Sequence, residues 1–366
     1  MTLPRIALVG DYPPPHGGVS VHVAALERAL RGRGVDARVL DIGKGRHEGP
    51  SVVPAGTPLR YAAALARAAA ERRVVHAHTS GANPKSWMVA ASAGRARLPG
   101  APRAVLTLHS GLGPSWLAER RARRAAARLA CAPYGRVVAV NAEIAEALAS
   151  CGVRRERVVV IPAFLGAALA PGEPPARFAA LRAAHAPVFC AAVAPGATYG
   201  EDVLVAAFED VRAAEPRAAL ALFGPGSERG AGAALGPDRG VLALGEIDHA
   251  AALGVIGACD VFVRPTRADG DALSVREALS LGRAVVASGV GYRPPGCALV
   301  RAGDAADLAR GMLAASRQPA RAGALAASPA QDAFEQLLAV YRAVAEEGRT
   351  LPSDSAHMEE TPSCHP

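Results

Sequence analysis

The chain has 366 residues, enough for two domains of ordinary size, and about half of them are hydrophobic, so each domain has material for a core. No run of about 18 uncharged apolar residues occurs, so no transmembrane helix is expected. The net charge of +8 is uneven: residues 1–170 carry +14 and residues 171–366 carry −6, which points to different partners for the two halves.

The first ten residues form a short apolar run with one arginine and no small-residue cleavage site, so they read as a strand and not as a signal peptide. Further strands are predicted at 37–41, 74–77, 104–108, 136–140 and 158–161, with helices near 18–33, 60–72, 84–96, 114–131 and 141–151. After a proline-rich stretch at 163–187 the alternation resumes. Strands fall at 188–193, 218–223, 241–244, 261–263, 284–287 and 298–300, and helices near 201–214, 248–258, 273–282, 304–316 and 330–348. Continuous apolar strands alternating with helices predict parallel sheets covered on both faces. The pattern occurs twice, so we expect two Rossmann-like domains, 1–170 and 171–350, with a disordered polar tail at 351–366. Ligands of such sheets bind beyond the carboxyl ends of the strands, which places the site in the cleft between the domains.

Several strand ends carry groups suited to a ligand. Gly17 and Gly18 follow the first strand and open a helix, where bare backbone amides favour an anion, although a tight turn explains them equally. His76 and His78 end one strand and His109 another. A metal needs a third ligand that the nearby sequence does not offer, and packed strand-end histidines are the alternative. Gly224 and Gly226 form a second close-approach loop. Asp269 and Glu277 lie eight apart, around the start of a helix at Leu273 and Ser274, flanked by Arg264, Arg267 and Arg276. Two carboxylates there suit vicinal hydroxyls, and the helix N-terminus suits a phosphate. A capping box between Ser274 and Glu277 is a structural alternative, and Asp269-Gly270-Asp271 also spells a metal-binding D-x-D. Arg120, Arg121, Arg123, Arg124 and Arg128 crowd one predicted helix with Trp116 and Leu129, as either a solvated face or a surface for an anionic membrane. The basic half lacks interleaved aromatics, so nucleic acid is not expected. Six cysteines without C-x-x-C spacing argue against a zinc framework or disulfides and for reduced thiols, hence a cytoplasmic protein.

Taken together these stretches resemble the glycosyltransferase family 4 members of the GT-B fold, from about Ile6 to Leu313. The resemblance rests on the run from Pro14 to His22, on Val74–Thr79 with Leu106–His109, on Val138–Asn141, on Val160–Pro162, and above all on Asp269 and Glu277 with seven residues between them. It implies a retaining transferase that moves a sugar from a nucleotide-sugar to an acceptor without metal or other cofactor, and the basic first half suits a polysaccharide or lipid-linked glycan as that acceptor. In it His109, Asp269 and Glu277 would be catalytic. Gly17, Gly18, Gly224, Gly226, Arg264, Leu273, Ser274 and Arg276 would bind donor, and His16 and His78 would lie on the acceptor side. An anionic membrane would be met through Arg120, Arg121 and Arg124, at the inner face. The family places an Arg and a Lys early in the second domain to clamp the diphosphate; here Ala194 and Tyr199 stand at those positions. A non-catalytic binding protein on the same fold is therefore the alternative.

Overall fold

In the computed structural model, residues 3–43, 47, 49–163, 169–318 and 329–348 are described, the last helix with its side chains from 333 onward. The first unit runs β1 (Ile6–Gly10), α1 (Gly18–Gly32), β2 (Ala37–Asp41), β3 (Val52–Pro54), α2 (Pro58–Ala70), β4 (Val74–Thr79), α3 (Pro84–Arg95), β5 (Ala104–Leu108), α4 (Leu112–Ala118), α5 (Arg121–Cys131), β6 (Tyr134–Ala139), α6 (Ala142–Ser150) and β7 (Val158–Val160). Its seven strands lie in the order β3-β2-β1-β4-β5-β6-β7, all parallel. Every residue of β1, β4 and β5 is buried, as expected for strands covered on both faces. Side-chain caps start the helices where the sequence offers them: Thr57 with Pro58 for α2, Asn83 with Pro84 for α3, and Asn141 for α6.

The second unit runs α7 (Ala176–Ala184), β8 (Val188–Ala192), α8 (Glu201–Ala214), β9 (Ala219–Phe223), α9 (Ala231–Leu235), β10 (Val241–Ala243), α10 (His249–Ala258), β11 (Val261–Arg264), α11 (Leu273–Ser280), β12 (Ala284–Ser288), β13 (Cys297–Val300) and α12 (Ala305–Ser316), followed by α13 (Pro329–Glu347). Its six strands lie parallel in the order β10-β9-β8-β11-β12-β13. The paired α/β architecture expected from the alternation is present.

Four details differ from the sequence reading. Strand β3 was not expected; it adds only three residues at the sheet edge. The helix expected over 114–131 is two helices, because Arg120 takes extended backbone angles (φ −144, ψ 132). Helix α7 lies inside the proline-rich boundary and buries Phe178 in the second core. The last helix, grouped by sequence with the second domain, instead packs Leu337, Leu338, Tyr341 and Val344 into the core holding Ile6, Leu8, Val105 and Val138 of the first sheet. An amphipathic pattern tells that a helix buries a face, not which sheet receives it. The expected tail at 351–366, with Cys364, lies outside the described residues. Cys131, Cys151, Cys190 and Cys259 are buried free thiols. No helix among the described residues is long and apolar enough to cross a membrane.

Candidate active site

A cavity of about 450 Å³ lies between the two units, lined by residues of both. From the first come His16, Gly17 and Gly18 at the start of α1 and His109 to Leu112 beyond β5. The second contributes Ala192 at the end of β8 with Val193 to Pro195 beyond it, Gly224 beyond β9, His249 on α10, Arg264 at the end of β11, Ala268 to Ser274 after it, and Glu277 on α11. These are the carboxyl ends of the parallel strands, as the topology requires.

The two backbones meet closely at its edge. The Asn141 side chain caps α6 through Oδ1 (Ile144 N, 2.9 Å) and donates Nδ2 to the Gly270 carbonyl at 2.9 Å. A Cβ on Gly270 would stand 2.0 Å from the His109 carbonyl oxygen, and one on Gly111 would stand 1.9 Å from the Asp269 carbonyl oxygen. No side chain fits at either position, so these glycines set how near the domains come. Farther along, Glu246 Oε1 accepts the His16 amide at 2.8 Å, and Ala163 N donates to Asp271 Oδ2 at 3.1 Å.

The charged groups of the second unit are paired. Asp269 Oδ2 accepts from Arg264 Nε at 2.9 Å and from Arg293 Nη2 and Thr266 Oγ1 at 3.2 Å. Burial works to raise the Asp269 carboxyl, but the Arg264 and Arg293 charges outweigh it and hold the group below its ordinary value. The Arg264 guanidinium also sits 5.3 Å from the Tyr199 ring centre. Asp271 pairs with Arg276 Nε at 2.7 Å, yet burial keeps its carboxyl raised. Glu277 Oε1 accepts from His249 Nε2 at 2.7 Å. The capping box weighed from the sequence does not form: Ala272 is the N-cap of α11, no side chain caps the first turn, and Ala272, Leu273 and Ser274 line the cavity. Such free first-turn amides suit an anion. The D-x-D carboxylates face arginines, an arrangement that leaves them poorly placed for a cation.

The first unit's contribution is different. His22, His76 and His78 are buried, while His109 is half-buried at the cavity floor. Burial pushes the His22 imidazole down to about 4, and burial together with neighbouring imidazoles pushes His76, His78 and His109 well below the usual value. All four are therefore neutral near pH 7. His76 bonds to Tyr341 Oη at 2.6 Å and to Thr107 Oγ1 at 2.7 Å.

Of the residues singled out in the sequence, His16, Gly17, Gly18, His109, Gly224, Arg264, Asp269, Leu273, Ser274 and Glu277 come together around the cavity. Others do not reach it. Arg276 is buried against Asp271, His78 lies beneath the floor, and Gly226 stays in its loop with φ 78. Arg267 is turned outward to Asp202 at 2.7 Å. The sequence reading assigned no role to His22, Glu246, His249 or Arg293. His22 stood inside the Pro14–His22 stretch, four residues after Gly18 and so one helical turn along α1, a spacing that turns it to the same side. His249 and Arg293 had no such signal, since they reach the site only through the fold.

Residues 16–165 match the model of Glycosyltransferase Family 4, and residues 185–318 match that of Glycosyl transferases group 1. The chain belongs to the GT-B glycosyltransferases. Solved structures share the fold at low identity. The HepE protein of Anabaena in complex with UDP-glucose is 21% identical, with a TM-score of 0.64 over 94% of this chain and 100% of that one. Sucrose-phosphate synthase from Thermosynechococcus elongatus is 20% identical, with a TM-score of 0.61 over 94% and 97%. An α,α-trehalose-phosphate synthase (UDP-forming) from Burkholderia xenovorans, in complex with glucose-6-phosphate, is 12% identical, with a TM-score of 0.63 over 94% and 98%. No curated protein matches the chain significantly. Ala194 and Tyr199, which the resemblance sets at the clamp positions, line the cavity of this glycosyltransferase, and among the described lining residues Arg264 is the one Lys or Arg.

Proposed function

We propose that this glycosyltransferase takes a hexose from a nucleoside-diphosphate sugar and transfers it, with retention, to a polysaccharide or lipid-linked glycan. The observation that carries the reading is the convergence of His109, Asp269 and Glu277, drawn from both units, on one cavity at the strand ends. Glu277 accepts the ribose hydroxyls through the oxygen that His249 leaves free. His109, neutral, faces the transferred sugar. The uncapped amides of α11 and the glycine amides opening α1 hold the diphosphate. In the transfer the bond from the anomeric carbon to the diphosphate oxygen breaks, and the acceptor oxygen bonds to the same face of that carbon. The acceptor proton passes to the departing diphosphate. Positive dipoles directed at that leaving group lower the barrier, and Arg264, steadied by Asp269 and Tyr199, supplies the charge the missing clamp does not. No metal is expected on Asp269 and Asp271, because each carboxylate is already paired with an arginine.

The protein works in the cytoplasm at the inner face of a membrane. Arg120, just before α5, and Arg121 and Arg128 on it are exposed, as is Leu129, while Arg123 is withdrawn to Glu119 and the Trp116 ring. Each basic residue near an anionic surface adds about 1 kcal/mol. Replacing Arg120, Arg121 and Arg124 with Gln is expected to release the chain from phosphatidylserine vesicles in sedimentation; equal binding would sink the membrane reading.

A thermal-shift series with UDP-, GDP-, ADP- and TDP-sugars in EDTA tests the donor site. A ligand at about 100 times its Kd adds about 2.7 kcal/mol. One sugar nucleotide is expected to shift the melting point of the chain and not that of Glu277→Ala. No shift with any of them would favour the non-catalytic binding protein instead.

A further inference from the structure

Three segments distant in sequence bring imidazoles together under the cavity floor. One ring nitrogen each of His22, His78 and His109 lies within 4.8 Å of the other two. His78 Nδ1 and His109 Nε2 are 3.2 Å apart. Two imidazoles bound to a tetrahedral zinc at about 2.0–2.1 Å stand about 3.3 Å apart, so this pair already has the required edge. His22 Nδ1 lies 2.6 Å from the Ala163 carbonyl oxygen. A carbonyl only accepts, so the proton is on Nδ1 and the lone pair on Nε2. A backbone carbonyl on the outer nitrogen is the usual support of a metal-bound histidine.

The 3.2 Å contact between His78 Nδ1 and His109 Nε2 is a single N–H···N hydrogen bond in the metal-free protein, and an ion held by both lone pairs would replace it. His76, whose ring centre is 4.0 Å from that of His78, has both nitrogens bonded already, to Tyr341 and Thr107, and is not available as a ligand. His109 reaches the cavity, which gives an ion its entry path and leaves a fourth position open on that side.

We infer that His22, His78 and His109 form a binding site for a borderline divalent cation of the zinc type. Three nitrogen donors select such an ion over magnesium or calcium, which take oxygen ligands. The site shares His109 with the cavity, while His22 and His78 lie beneath it. An ion there holds the His109 nitrogen that would face the sugar, so cation and donor exclude each other; this last consequence alone rests on the proposed function.

The test uses the untagged full chain, stripped with EDTA and exchanged into chelator-free buffer, then titrated calorimetrically with ZnCl₂ and with MgCl₂. One Zn²⁺ per chain and no Mg²⁺ is expected, and Co²⁺ in place of Zn²⁺ should give the intense visible bands of a four-coordinate ion. His22→Gln and His78→Gln are each expected to weaken Zn²⁺ binding about tenfold or more, with circular dichroism unchanged. If His78→Gln does not fold, His22→Gln decides alone, since glutamine retains a donor for the Ala163 carbonyl. Absence of Zn²⁺ uptake, or uptake at full affinity in the folded variants, would overturn the site. A donor-induced thermal shift that persists in saturating Zn²⁺ would overturn the exclusion while leaving the binding site standing.

Discussion

The two walls of the cleft invert what their domains' charges suggest. The first domain is the basic half, yet among the described residues its share of the cavity holds no Lys or Arg: its polar groups are backbone amides, serines and the histidines His16 and His109, with further neutral imidazoles beneath. The acidic second domain supplies Arg264, and its carboxylates are tied up as Arg264–Asp269–Arg293, Arg276–Asp271 and His249–Glu277. The first domain's positive charge lies outside instead, for example on Arg120 and Arg121. Net charge describes how a domain meets large partners at long range. It says little about a site, where burial forces charges either to pair or to disappear.

That contrast breaks most strongly where a pair loses one member. Arg293 is 4% exposed in its side chain and bonds both Asp269 and Thr266. Arg293→Met should cost toward the lower end of about 3–5 kcal/mol, because Asp269 stays buried but keeps Arg264. Arg267→Met removes an exposed partner of Asp202 and should cost under about 1 kcal/mol. Urea denaturation of the two variants checks the difference. Similar losses would mean that the wall's pairs contribute no more than surface ones.

The second test concerns the seam between the walls. Gly270→Ala places a methyl against the His109 carbonyl and Gly111→Ala places one against the Asp269 backbone. Neither position lies in a strand or a helix of its own domain, so each domain should keep its fold while the walls separate. A misplacement of about 1 Å costs about a hundredfold in rate, or about 2.7 kcal/mol of barrier. We expect that fall in kcat/KM for either variant with an unchanged melting point. Full activity in both would show that the domains do not need this approach.

The sequence made the paired α/β architecture legible because buried parallel strands leave continuous apolar runs, and each unit repeats the pattern. It also placed most cavity residues, since the topology puts ligands at strand ends and those ends carry Gly17, His109, Asp269 and Glu277. It could not place α13, because Leu337 and Tyr341 fit any apolar surface of the right shape. The partners were hidden too. Arg276 and Arg264 both precede or follow an acid closely in sequence, but only the backbone turn decides that Arg276 faces away while Arg264 reaches the cavity. Arg293, 24 residues beyond Asp269, and His249, 28 before Glu277, meet their carboxylates only through sheet order.

Acid separates the two walls by their titration windows. An unfolded histidine takes up a proton near its ordinary value of 6.5, whereas His22 in the fold does not until about 4. The folded value is depressed, so this contribution to stability is fully present above about pH 6.5 and is lost progressively as pH falls toward 4. At pH 5.5 it amounts to about 1.4 kcal/mol for His22 alone. His76, His78 and His109 shift in the same direction and steepen the loss. The opposite wall does not enter this window through Asp269, whose carboxyl lies below its ordinary value of 3.8 and gives up its contribution only in stronger acid. Urea denaturation in EDTA at pH 7.5 and 5.5 should therefore show the chain less stable at the lower pH, and His22→Gln should lose about 1.4 kcal/mol less between the two. Equal losses in both proteins would mean that His22 is hydrated enough to accept a proton in the fold, and that the floor of the cleft is not the dry, uncharged surface that distinguishes it from the wall it faces.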